Sequence, residues 1–70
     1  MILLQMIITV HWDGLESDSL EVVEERARAI LNVYGFNSVR VKALRAEQGI
    51  LLELTGARRD ALKAKDIFEH

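Results

Sequence analysis

Val39-Arg40-Val41-Lys42-Ala43-Leu44-Arg45-Ala46-Glu47-Gln48-Gly49-Ile50-Leu51-Leu52-Glu53-Leu54-Thr55 reads as two alternating runs about a polar turn. Val39, Val41 and Ala43 are the apolar set of the first run, and Ile50, Leu52 and Leu54 that of the second. Side chains along a strand alternate between faces, so each set belongs to one side of a sheet. Ala46-Glu47-Gln48-Gly49 supplies the turn, with Gly49 able to take positive φ. Opposing Arg45 to Ile50 brings Ala43 to Leu52 and Val41 to Leu54 on the core side. The other side then holds Leu44 against Leu51 and Lys42 against Glu53, an opposite-charge pair across the ladder. A slip of one residue sets Lys42 against Leu54 and mixes the faces. One register is consistent.

Upstream of the hairpin, Asp13-Gly14 ends a first strand and Leu15-Glu16-Ser17 leads to a helix. Asp18 stands three residues before Glu21, the spacing of a capping box. Glu21, Glu24 and Glu25 complement the dipole of the first turns. Leu20, Val23, Ala27, Ile30, Leu31 and Tyr34 recur at helical spacing as the expected buried stripe. Gly35 is the expected left-handed terminator, with Phe36 folding back on Leu31. Before the helix, Ile2 to Trp12 separates by parity. Ile2, Leu4, Met6, Ile8, Val10 and Trp12 make an apolar face, and Leu3, Gln5, Ile7, Thr9 and His11 a mixed one. Translation from Met6 would still leave Ile7 to Trp12 as a strand.

Downstream, Gly56 is expected to break the third strand. Ala57 to about Phe68 is expected to be helical, with Ala57, Ala61, Ala64 and Phe68 on one face, Ile67 on its flank and Leu62 opposite. A strand–helix–strand connection is right-handed and makes its strands parallel. The economical sheet therefore places the third strand between the first two, antiparallel to both. The expectation is an α+β fold, a two-layer βαββα sandwich with sheet order 1-3-2 and both helices on one face. It is a single domain over residues 1–70.

Seventy residues leave no room for a second core, and so small a domain holds a margin of about 3–5 kcal/mol. Half of the residues are apolar and 29% are charged, a composition that folds. Without cysteine there is neither a disulfide nor a thiolate metal site, which makes self-association a suspect for added stability. The net charge of −2 gives no general electrostatic footprint for nucleic acid. Met1–Val10 is apolar, but a bilayer needs about 20 residues. It also lacks the basic start and cleavage site of a secretory signal. A cytoplasmic location is expected.

Side chains of catalytic type gather only around His11, Trp12, Asp13, Glu16 and Asp18. A histidine with carboxylates can hold a divalent cation or move protons. The spacing matches no ligand loop, however, and a strand end beside a helix cap accounts for the same residues. Gly14, Gly35, Gly49 and Gly56 are each taken by a turn or cap, and no phosphate-cradling pattern occurs. Ser17, Ser19 and Ser38 have no base near them in sequence. The expectation is a protein without enzymatic activity, cofactor or metal.

The sheet's second face is better furnished. It carries Ile7, Thr9 and His11 on the first strand, Leu51 and Glu53 in the middle, and Arg40, Lys42 and Leu44 on the far strand. Ile7, Leu44 and Leu51 are read as an apolar strip with a polar surround, the character of a protein-contact surface. RNA-binding sheets need exposed aromatics, which this face lacks apart from the histidine. Arg40, Lys42 and Arg45 make the second strand a basic edge that discourages pairing. The first strand is a long apolar edge, and pairing with another copy would satisfy it. The partner expected is thus a protein, with a homodimer through the first strand or the open face. The alternative is a nucleic-acid-associated regulator using Arg40, Lys42, Arg58, Arg59 and Lys63; no membrane is implied.

Ser38-Val39-Arg40 leading into the hairpin and Gly56-Ala57 opening the last helix give an element order similar to that of the DinI-like modulators of RecA. The resemblance covers topology more than residues. It implies the βαββα fold. The acidic last helix of that family departs from the one here, which holds Arg58, Arg59, Lys63 and Lys65. The same order also fits a ferredoxin-like plait without its fourth strand, and a fold alone does not give a function.

Overall fold

The computed structural model describes residues 4–14 and 19–69. In chain order it contains β1 (Gln5–His11), α1 (Leu20–Val33), β2 (Arg40–Ala46), β3 (Gly49–Ala57) and α2 (Arg58–Phe68). The strands form one antiparallel sheet of order β1-β3-β2. Helix α1 packs on β2, and α2 lies over β1 and β3. The expected βαββα sandwich is the fold.

The hairpin has the one register that kept both faces consistent. Arg45 faces Ile50, Ala43 faces Leu52 and Val41 faces Leu54, while Leu44 meets Leu51 and Lys42 meets Glu53. No non-glycine residue among those described has positive φ, so the left-handed step of this turn falls on Gly49 at φ 118°. On its other side β3 pairs Leu52 with Val10 and Leu54 with Ile8. Ile50, Leu52 and Leu54 thereby become the floor of the core, covered by Val23, Ala27 and Leu31 of α1 and by Ala61 and Ala64 of α2. No described polar or charged residue is buried. The two alanines of α2 let its backbone approach the sheet closely.

Four boundaries differ from the reading of the sequence. The N-cap of α1 is Ser19, whose hydroxyl accepts from the Val22 amide at 3.2 Å. Asp18 lies outside the described residues, and with Val22 at the third helical position no carboxylate reciprocates as a capping box requires. Tyr34, expected in the buried stripe, is the C-cap and is 61% exposed. There the chain leaves the helix through Gly35 at φ 84°. The Phe36 amide donates to the Leu31 carbonyl at 2.9 Å and that of Gly35 to Asn32 at 3.1 Å, the paired bonds of a Schellman motif. Phe36 packs against the core as expected.

Gly56 does not break β3. It pairs with Met6 inside the strand, where a Cβ would stand 3.4 Å from Val39 Cγ2 and 3.5 Å from Val39 Cα. An interior glycine marks a close approach here, not a strand end. Consequently α2 begins at Arg58, and Ala57 is its exposed N-cap with no side-chain bond. On β1 the last rung is Gln5 with Ala57, so Leu4 lies past the end of the sheet and is 75% exposed despite its parity. Ile2 falls outside the described residues.

Candidate functional site: the open sheet face

Odd residues of β1 and β3 and even residues of β2 point away from the helices, and the register arranges them in three rungs across the sheet. Ile7, Thr55 and Arg40 form the first, Thr9, Glu53 and Lys42 the second, and His11, Leu51 and Leu44 the third. All eight residues anticipated as a contact surface lie on these rungs. Ile7, Thr9, His11, Arg40 and Lys42 are exposed, while Leu51 and Glu53 on the central strand and Leu44 on β2 are half-buried. The parity that buries Leu52 and Leu54 is what turns Leu51 and Glu53 outward.

The apolar strip, in contrast, is divided. Leu44 and Leu51 are direct neighbours, but Ile7, 66% exposed, stands two rungs from Leu51. That separation is about 13 Å along the strand. The Thr9–Glu53–Lys42 rung lies between them, with the carboxylate of Glu53 directly across the ladder from Lys42. The face therefore has an apolar end at the hairpin, a charged belt and a lone isoleucine, with Thr55 between it and Arg40. A cavity of about 290 Å³ adjoins the apolar end, lined by His11, Leu51 and the turn residues Ala46, Glu47 and Gln48.

The basic residues do not converge. Arg40 and Lys42 belong to the open face, whereas Arg58, Arg59 and Lys63 lie on α2 in the other layer, flanking Leu62. Of the group around His11, Glu16 lies outside the described residues along with Asp18. Among the described residues no three of His, Asp or Glu are close enough to hold a metal ion. His11 and Asp13 instead border a cavity of about 400 Å³ that is otherwise walled by Trp12, Gly14, Ile30, Tyr34, Ile67 and Phe68. The Trp12 indole lies against Gly14, where a Cβ would fall 2.6 Å from Cε2. Its buried Nε1–H has no hydrogen-bond partner among the described residues.

Sequence reasoning missed one polar contact with consequences for the sheet. Glu24 Oε2 accepts the backbone amide of Ala43 at 3.0 Å, and Arg28 steadies the same carboxylate at 3.4 Å. The Ala43 amide points away from β3, so Glu24 caps the outer edge of β2. The available signal was its position: Leu20, Glu24, Ala27 and Leu31 share a stripe, and a carboxylate at that spacing needs a partner.

No family model, curated protein or solved structure matches the chain. The likeness to the DinI-like modulators is therefore one of element order. No helix among the described residues is long and apolar enough to cross a membrane.

Proposed function

We propose that the chain is a non-enzymatic protein-interaction module, a small regulatory or accessory protein, that engages its partner through the open sheet face. The observation that carries this reading is the pattern of the three rungs. Leu44 and Leu51 offer an apolar contact beside the His11 cavity, with the Lys42–Glu53 belt on one side and Glu47 and Gln48 of the turn on the other. An apolar centre within a polar rim is the anatomy of a protein interface. The aromatic platform that single-stranded nucleic acid stacks upon has no counterpart on this face. A nucleic-acid-associated regulator would need Arg40 and Lys42 on one layer and Arg58, Arg59 and Lys63 on the other to act in separate contacts.

The test is capture with the native chain as bait, repeated with Ile7→Lys and Leu51→Glu. Both positions sit on the side away from the core, so the variants should keep the helical and sheet signals in circular dichroism. Loss of the captured partner with Leu51→Glu, and its weakening with Ile7→Lys, is expected. Retention by both variants removes the sheet face as the site. A salt titration with a random oligonucleotide addresses the alternative, since phosphate contacts give binding that falls steeply with salt.

A further inference from the structure

We infer that a second copy of this chain docks on the outer edge of β1, with the two strands antiparallel and the two α2 helices packed across the dyad. The sheet then continues through six strands, and the proposed partner-binding face stays open on both copies.

The backbone sets the phase of this edge. Trp12 donates to the Ile50 carbonyl at 2.9 Å, so the even residues of β1 direct their amides and carbonyls toward β3. By alternation Gln5, Ile7, Thr9 and His11 direct theirs outward. No described residue hydrogen-bonds to these groups. A two-fold axis perpendicular to the sheet beside Ile8 uses all four residues. Ile7 then pairs with Thr9 of the second copy and Gln5 with its His11. On the helix side Ile8 meets Ile8, and the exposed Leu4 lies opposite Trp12.

The helix layer fits the same axis. Helix α2 touches both β1 and β3, placing its axis about half a strand spacing inside β1. With strands about 4.8 Å apart, the two α2 axes would lie about 10 Å apart, a normal helix packing distance. Asp60 accepts from the Ser38 hydroxyl at 3.4 Å and Ile67 borders the cavity with Ile30, so that flank of α2 faces α1. Its other flank, Arg58, Leu62, Lys65 and Glu69, overhangs the open edge of β1. Leu62 is 42% exposed at mid-helix, level with Ile8, and meets its own copy on the axis.

The charges of α2 are mixed at both ends. Arg58 and Arg59 open the helix beside Asp60, and Lys65, ion-paired with Glu69 at 3.8 Å, closes it beside Asp66. Across an antiparallel pair centred on Leu62, Arg58 of each copy is level with Lys65 and Asp66 of the other, so neither sign accumulates at the seam. A strand pair with one helix contact falls at the small end of specific interfaces, about 1,200 Å² in total, which suits micromolar association.

Sedimentation equilibrium of the full chain across the micromolar range tests the inference. The expected mass rises from 8.0 kDa toward twice that value. Leu62→Glu sets two carboxylates on the axis and should raise the dissociation constant by at least about tenfold, with an unchanged circular dichroism spectrum. A native chain that stays at 8.0 kDa, or a dimer indifferent to Leu62→Glu, overturns the inference. Leu62 lies on the opposite layer from Leu51, so partner capture and self-association fail independently.

Discussion

The two edges of this sheet meet the same problem in opposite ways. At β2 the outward amide of Ala43 is taken by Glu24, and Arg40, Lys42 and Arg45 surround the strand with positive charge. At β1 the outward groups of Gln5, Ile7, Thr9 and His11 meet no described residue, and the side chains beside them are mostly apolar or neutral. A helix shields each strand from above, but only α1 has a described side chain bonded to the backbone of its edge strand. An unpaired edge is a template for another strand, and natural sheets blunt theirs with charge or cover. Here one edge is blunted and its counterpart is left able to pair. The contrast is better explained by use of β1 than by neglect of it.

Four substitutions break or sharpen this contrast. The largest effect belongs to the strand that supports both edges. Leu54→Ala, fully buried between Ile8 and Val41, should cost about 2–5 kcal/mol, comparable with the whole margin of the domain. Its urea midpoint should fall to the point where both edges are lost together. Glu24→Ala comes next and acts on the guarded edge alone. Loss of a charge-assisted bond to the Ala43 amide should cost about 1–2 kcal/mol in urea denaturation, and that amide should exchange faster while the β1 amides do not change. Ser19→Ala removes the cap of the helix that guards β2 and should lower stability by about 1 kcal/mol without altering association. Leu62→Glu should leave monomer stability within about 0.5 kcal/mol, measured at a concentration where only monomer is present.

The hairpin was legible in the sequence because its two faces carry incompatible side chains, so only one register satisfies both. Topology followed from the crossover rule and from strand parity. Gly56 was misread because glycine ends strands and also permits close approach, and only Val39 above it distinguishes the two. Ser19 and Asp18 are both good caps, so composition alone does not choose between them. For the candidate site, parity assigned all eight face residues but not the separation of Ile7 from Leu51, which depends on how β1 aligns with β3. The guard on β2 was hidden for a similar reason, since a bond between residues 24 and 43 exists only once α1 has docked. The exposed Leu62 showed no burial partner within one chain, and its proposed contact lies in a second copy.

Residue-resolved amide exchange of the full chain, at low and at high micromolar concentration, tests the difference between the edges most directly. The Ala43 amide should be protected equally at both, while those of Ile7 and Thr9 should exchange fast when dilute and slow by at least about tenfold when concentrated. Fast exchange at Ile7 and Thr9 at every concentration, with Ala43 still protected, would contradict pairing through β1.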